Sequence, residues 1–378
     1  EWFRAHLEHE RPDVVHIESC YLLSTAPIHA AVDAGLPTVV SLHDYWFMCP
    51  RLTMLHPDGT CCDGEGMRRG AASTPGAAST RGAASTLGAA CAWCLMTERR
   101  RYRYLDTATH GAAGAAALRL LRTRRIAPTF AGAATPDALD RRRAEVRVEL
   151  SRADALVTPS EYVRRLLIAW GLSEARLHLV AHGLERPVTA SPEHAPRAPG
   201  SLRLAYLGQV IPAKGLHVLL DAVRRLRRGH YDITLDVHGG GTDPAYERRL
   251  RRIAGPNEGV YWHGPYAPGD VWSFLGDVDA VVVPSLWREI GPLVMYEALA
   301  AGRPVVASDL PNMYYVVQHG RNGLLFRPGR VADLARQLAR LTDEVGLLAH
   351  LRAGITPPRG VEEEMSELMA VYRGAGGR

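Results

Sequence analysis

The sequence predicts an α/β protein built from two parallel-sheet domains, and three observations carry the prediction. From Leu202 onward, apolar runs alternate regularly with amphipathic stretches, the rhythm of a parallel sheet covered by helices. A length of 378 residues with 47% hydrophobic composition is enough for two ordinary cores. The polar motifs at Gly208, His238, His263 and Glu289 each follow an apolar run, so they fall beyond the carboxyl ends of strands, where such sheets bind ligands.

Taken in order, the first half offers strands at 13–17, 37–42, 154–158 and 177–181, with helices near 22–34 and 160–170. Four strands are few for such a domain, and the chain opens at Glu1 in a helix-like stretch. The expectation is a first domain over 1–187 that is truncated at its N-terminus. Within it, 62–150 reads as an irregular insertion. Gly70-Ala-Ala-Ser-Thr recurs at Gly76 and Gly82, a six-residue period too short for a solenoid and typical of slippage in repetitive DNA, so 70–90 is low-complexity. A Pro- and Ala-containing stretch at 188–200 reads as a linker. The second domain, 201–355, has strands at 202–207, 233–238, 260–263, 279–284 and 304–308 and a helix at 216–228. A last amphipathic segment, 361–372 within 356–378, is expected to cross back and pack on the first domain.

The richest stretch is Glu289-Ile290-Gly291-Pro292-Leu293-Val-Met-Tyr-Glu297, which sets two carboxylates eight residues apart across a loop-to-helix junction. A helix is expected to start near Pro292 and to stop at Gly302. Its free backbone N–H groups and dipole attract phosphate, while the two carboxylates can accept bonds from sugar hydroxyls. An isolated pair with this spacing would read as two solvated charges; its context favours a sugar nucleotide. Part of that context is Lys214, the one lysine among 45 basic residues. Where arginine serves every generic need for charge, a compact ammonium in a strand-to-helix loop suits a diphosphate.

Together these segments resemble the retaining glycosyltransferases of glycosyltransferase family 4, the glycosyl transferases group 1, over most of the chain and best over 153–328. The motifs are Glu289 and Glu297 with the loop Gly208-Gln209…Lys214-Gly215. Asp154-Ala-Leu-Val-Thr-Pro-Ser160-Glu161, Val180-Ala-His-Gly-Leu184, His238-Gly239-Gly-Gly241, His263-Gly264-Pro-Tyr266 and Asn322-Gly-Leu-Leu-Phe326 are looser matches. The resemblance implies the GT-B fold, two Rossmann-like domains facing across a cleft, with the acceptor on the first and a nucleoside-diphosphate sugar donor on the second. It implies a hexosyltransferase-like enzyme acting on a glycan or lipid-linked acceptor, in bacterial cell-surface polysaccharide synthesis. Lys214 and Gln209 would hold the diphosphate, Glu289 the donor sugar with Ile290 to Leu293 nearby, and Glu297 the ribose. His43 would stand near the transferring sugar, with Asp44 and Tyr45 toward the acceptor. Retention is generally ascribed to front-face attack in which the leaving phosphate takes the acceptor proton, so neither a protein nucleophile nor a catalytic metal is expected. One departure stands out: Gln209 occupies a position where many members carry an arginine. The expected truncation leaves a rival reading, a catalytically impaired remnant that binds sugar nucleotides. An epimerase lacks the two-glutamate spacing, and a phosphorylase needs a cofactor lysine that this chain can hardly spare.

A formal charge of +5 suits anionic sugar nucleotides or peripheral association with the inner face of a membrane, and a cytoplasmic setting is expected. The charge is modest and no nucleic-acid motif accompanies it, which argues against nucleic acid. No apolar run reaches the roughly 20 residues that span a bilayer. Six cysteines stand at 20, 49, 61, 62, 91 and 94. Cys91-Ala-Trp-Cys94 has the spacing of a zinc half-site, and Cys49 with Cys61 or Cys62 can supply the other half. Cys49, Cys61, Cys91 and Cys94 are the ligand set taken forward. Four thiolates close the coordination shell, so such a zinc would be structural.

Overall fold

The computed structural model describes the chain except residues 22, 57, 58, 60, 63–85, 99, 110–112, 115, 118–134, 186–199, 242, 256–258 and 378. Most of the repeat at 70–90, the arginines at 122–125 and nearly all of the linker at 188–200 lie outside the described residues. The chain divides into two units, 1–181 with 366–378, and 182–365.

The first unit begins with α1 (Trp2–Glu10), β1 (Val15–Ile17), α2 (Ala26–Asp33) and β2 (Thr38–Ser41). Next come α3 (Thr86–Met96), α4 (Arg100–Ala108), α5 (Pro136–Arg152), β3 (Ala155–Thr158), α6 (Glu161–Ala169) and β4 (Leu177–Leu179). The strands form one parallel sheet in the order β1-β2-β3-β4. Every residue of β2 and β3 is buried, as expected where both faces of a sheet are covered. Asp154 sets their register: its carboxylate accepts from Thr38 N at 2.9 Å, and its own amide donates to Thr38 O at 2.9 Å.

The stretch 62–150 is more regular than its composition suggested. In α5, Thr135 caps the N-terminus by accepting from Ala138 N, Pro136 occupies the first turn, and Leu139, Arg143, Val146 and Leu150 are buried at helical spacing. α3 packs against α5, and Gly88 sits at the crossing, where a Cβ would lie 2.6 Å from Pro136 O. The apolar stripe of α5 is interleaved with arginines, which obscures it in the sequence.

The second unit runs β5 (Ser201–Leu207), α7 (Leu216–Arg228), β6 (Asp232–His238), α8 (Pro244–Ala254), β7 (Val260–Gly264) and α9 (Val271–Gly276). It continues with β8 (Ala280–Val283), α10 (Leu293–Ala300), β9 (Val305–Ser308), β10 (Gly323–Phe326), α11 (Val331–Asp343) and α12 (Leu347–Ala353). All neighbours are parallel, in the order β10-β9-β8-β5-β6-β7. Counted from β5, this is the 3-2-1-4-5-6 order of doubly wound folds, and the order reverses between β5 and β8. Strand β10, a short Gly-Leu-Leu-Phe run, was expected only as a motif. α10 begins one residue later than expected, because Pro292 takes an extended ψ of 95° and serves as N-cap. The core joins Leu204, Leu219, Leu235, Val282 and Leu338 between sheet and helices.

The last helix, α13 (Val361–Gly376), extends beyond its expected end. Its Val371 and Ala375 pack with Val39, Ala155, Val157 and Val180 of the first unit.

Candidate functional site

The carboxyl ends of β5, β6, β7 and β8 are tied to one another through backbone. Gly208 N donates to His238 O at 3.0 Å, Gly239 N to Gly264 O at 2.7 Å, and Val210 N to Gly240 O at 2.9 Å. These crossings require glycine: a Cβ on Gly239, at φ +135°, would lie 1.8 Å from Gly208 O. The β5 loop also meets the β8 loop. Leu286 N donates to Ala213 O at 2.8 Å, and Gly215, in the left-handed conformation that starts α7, passes Pro284 O so closely that a Cβ would lie 1.9 Å from it.

That contact brings Lys214 to Glu289. Lys214 Nζ donates to Glu289 Oε2 at 2.5 Å, across the switch point where the strand order reverses. Glu289 is buried, and Ser285 Oγ donates to its other oxygen. The Trp287 ring lies 5.9 Å from Nζ. Ile290 is buried and Leu293 exposed beside Gly291 and Pro292. Among the described residues, no side chain caps the N-terminus of α10. Glu297, one turn into α10, is half-buried, and burial raises its pKa. Gln209 is exposed, and its carbonyl accepts from the buried Tyr206 hydroxyl at 2.6 Å.

A polar cluster on β5, β6 and β7 went unread in the sequence, apart from its two histidines. Asp236, buried in β6, accepts from Arg203 Nε at 2.5 Å and from His263 Nε2 at 2.7 Å. Burial raises its pKa, but Arg203 and His263 outweigh this and the net shift is downward. His238 lies stacked between His263, at 4.2 Å between centroids, and Phe274, at 3.9 Å. Burial, with His263 beside it, lowers its pKa to about 4, and its Nδ1 is buried without a partner. Asp236, His238 and His263 are the one set of three ligand-bearing residues, among those described, whose ligand atoms lie within 4.8 Å of one another. The arrangement opposes a cation: Asp236 is already neutralised by a guanidinium, and the two imidazoles are parallel to within 6°. Strand alternation, which puts Asp236 and His238 on one face, is the signal that could have found the cluster.

The first unit has its own polar cluster at the ends of β1 and β2. His43 Nε2 lies 2.9 Å from Glu18 Oε2, and this bond raises the His43 pKa and lowers that of Glu18 to about 2. His16, whose pKa burial lowers, bonds to Ser41 Oγ at 2.8 Å and Tyr372 Oη at 2.7 Å. Glu18 carried no sequence signal. Asp44 accepts from Trp46 N at 2.8 Å, fixing the turn. Tyr45, expected toward an acceptor, is instead 1% exposed and packs in the core, because the turn directs its ring inward.

All six cysteines are outside disulfides. Around Cys91 stand Cys49, Cys62 and Cys94, close enough for their charges to act on it. Cys61 is held in an antiparallel bridge with Leu55. None of the described helices is long and apolar enough to cross a membrane.

Residues 190–353 match the family model of the glycosyl transferases group 1. Glycogen synthase of Mycobacterium tuberculosis is 30% identical over 196 residues, 51% of this chain and 46% of that protein. The D-inositol 3-phosphate glycosyltransferase of Streptomyces bingchenggensis is 30% identical over 219 residues, 53% of this chain and 48% of that protein. The chain thus spans about half the length of these relatives. The crystal structure of Anabaena HepE in complex with UDP aligns over 97% of this chain and 80% of its own, with a TM-score of 0.62 and 16% identity. Sucrose-phosphate synthase of Thermosynechococcus elongatus aligns over 98% and 75%, with a TM-score of 0.58 and 18% identity. The fold is that of the GT-B glycosyltransferases, with two parallel-sheet α/β domains.

Proposed function

We propose that this chain, which carries a glycosyl transferases group 1 domain on a GT-B fold, is a retaining glycosyltransferase of family 4. It takes a sugar from a nucleoside diphosphate and passes it to a hydroxyl of a glycan or lipid-linked acceptor. The observation that carries this reading is the Lys214–Glu289 pair across the switch point. A cation and a buried carboxylate held together there supply one group for a diphosphate and one for sugar hydroxyls. That HepE binds UDP on the same fold supports a nucleoside diphosphate as the leaving group.

In this reading the bond from the anomeric carbon to the β-phosphate breaks while the acceptor oxygen bonds to the same face. The acceptor proton passes to the departing phosphate oxygen. Lys214 and the α10 N-terminus stabilise the negative charge that grows on the diphosphate. No protein nucleophile or divalent ion is required, since Lys214 supplies the cation. Exposed Gln209 adds hydrogen bonds without charge, and Glu297 receives the ribose hydroxyls. His43, Asp44 and the loop they begin serve the acceptor. A basic balance and the acceptor class suit work at the inner face of a membrane, in cell-surface polysaccharide assembly.

Calorimetric titration with UDP, GDP and ADP tests the donor site. One nucleotide should bind saturably, and Lys214→Ala and Glu297→Ala should each abolish that binding while circular dichroism stays native. Absence of binding by all three would overturn the reading. Turnover of the bound donor sugar with added acceptor then distinguishes an enzyme from a protein that only binds.

A further inference from the structure

We propose that the outward side of α7 and α8, in the second unit, is an electrostatic docking surface for an anionic lipid bilayer. The two helices hold eight arginines and two carboxylates, a net charge of +6, whereas the whole chain carries +5. The basic balance of the protein is therefore the balance of this one surface. Crossovers of the usual right hand, from β5 to β6 and from β6 to β7, lay both helices on the same side of the sheet. There they pack together, and His217 Nδ1 of α7 bonds to Tyr246 Oη of α8 at 2.8 Å. Leu219, Val223 and Leu226 of α7 and Tyr246, Leu250 and Ala254 of α8 turn inward to the core, so the solvent sides of the two helices face the same way.

Arg225, Arg228, Arg248, Arg249 and Arg252 are exposed, and among the described residues none of them has a hydrogen-bond or ion-pair partner. The two carboxylates on these helices are already engaged, Asp221 with Arg224 and Glu247 with Arg251. Compensation of the helix dipoles accounts for Arg225, Arg228 and Arg252 in the last turns, but not for Arg248 and Arg249, which precede them. Neighbouring helix axes about 10 Å apart put these charges within reach of one another at a Debye length of about 8 Å, so they act on a charged surface together. Neither helix exposes an aromatic ring on which a base could stack: Tyr246 is buried, and Arg251 lies over Trp262 of β7 at 5.0 Å. A broad cationic face without stacking platforms suits lipid headgroups better than nucleic acid. The choice of a bilayer rests on the reading given above, in which the acceptor class includes lipid-linked glycans.

Flotation of the full chain with lipid vesicles tests the surface. Binding is expected to vesicles of phosphatidylcholine mixed with phosphatidylglycerol and not to phosphatidylcholine alone, and it should disappear in about 1 M salt, where the Debye length falls to about 3 Å. Each arginine near such a surface strengthens binding about fivefold, so Arg225→Gln/Arg228→Gln and Arg248→Gln/Arg252→Gln should each weaken it about 25-fold. Arg164→Gln/Arg165→Gln removes the same charge from α6 in the first unit, where both arginines pair with Glu161, and should leave binding within a few-fold of wild type. Circular dichroism of each variant checks that it is folded. Absence of binding to the anionic vesicles, equal binding to both kinds, or equal weakening by the α6 variant would overturn the proposal. Tighter binding of a poly(U) RNA than of the vesicles, lost in the α7 and α8 variants, would assign the surface to nucleic acid instead. Titration of the same preparations with UDP, GDP and ADP keeps the two readings apart: vesicle binding without nucleotide binding overturns the donor site alone, and the reverse overturns only this surface.

Discussion

In the proposed reading, Lys214 and Glu289 join function and stability in one pair of residues. Glu289 is buried and faces Lys214 and Ser285, so removing the ammonium leaves a buried carboxylate with half its compensation. Breaking such a pair from one side costs about 3–5 kcal/mol, and the partial exposure of Lys214 places this pair toward the lower end. Urea unfolding of Lys214→Ala should therefore show a loss of about 3 kcal/mol, and the Lys214→Ala/Glu289→Ala variant should lose less than the sum of the single changes. Additive losses would show that the two residues do not depend on each other. Glu297 behaves in the opposite way. Its pKa is raised by burial, so the folded state holds a proton that the unfolded chain releases, and stability falls as pH rises through that window. Glu297→Gln should raise the melting temperature at pH 8, with the difference from wild type vanishing in acid below the carboxylate's unfolded pKa; a constant difference across pH would show that the charge is not its source. The Glu18–His43 pair carries both signs. Glu18, lowered to about 2, stabilises above its unfolded pKa and loses that contribution as pH falls toward 2, while His43, raised from 6.5, stabilises below 6.5 and loses its contribution as pH rises through its folded pKa. Glu18→Gln should bring the His43 pKa back toward 6.5 in an NMR titration, and an unmoved resonance would remove Glu18 from the pair.

At the scale of elements, the site depends on where loops may touch. Gly215 and Gly302 both lie near φ +70°, but a Cβ on Gly215 would lie 1.9 Å from Pro284 O, whereas one on Gly302 meets nothing within 4 Å. Gly302→Ala should cost about 1–2 kcal/mol, the price of a left-handed alanine, with nucleotide binding intact. Gly215→Ala should lose more stability and also weaken binding, because the β5 and β8 loops must separate; equal behaviour of the two variants in both assays would show that the loop contact is unimportant. The same distinction explains what could be read in the sequence. The strands at 202–207 and 233–238 announced themselves as apolar runs, and Gly208, Lys214 and Glu289 could be placed because each lies in the loop that follows such a run. Glu18 could not be placed, since it meets His43 only through the pairing of β1 with β2, where Ile17 sits opposite Val40. Asp236 was hidden for a related reason: it lies within an apolar strand, and its partners Arg203 and His263 come from the strands on either side. α5 was missed because Arg143, buried against Cys91, stands in what should have been an apolar stripe. Local periodicity thus reveals elements and their ends, while contacts set by strand order remain invisible until the sheet is assembled.

At the scale of the molecule, the two units have separate cores, and the proposed nucleotide belongs to the second. A nucleotide that binds only the folded second unit stabilises it by mass action, by about 2.7 kcal/mol at a hundredfold excess over Kd. For a domain of roughly 180 residues, each kcal/mol moves the melting temperature by about 2–4 °C, so the shift should be about 5–10 °C. If the units unfold separately, calorimetry should resolve two transitions, of which nucleotide raises one. The Lys214→Ala variant should abolish this response. α13 complicates this division, since it begins in the second unit while Val371 and Ala375 pack on the sheet of the first. Its unfolding could join the two events into one. A single transition that answers to nucleotide would therefore mean that the units melt as one body, and truncation after residue 365 should then lower its midpoint by removing the packing of Val371 and Ala375. Two transitions, both moved by nucleotide, would contradict its assignment to the second unit.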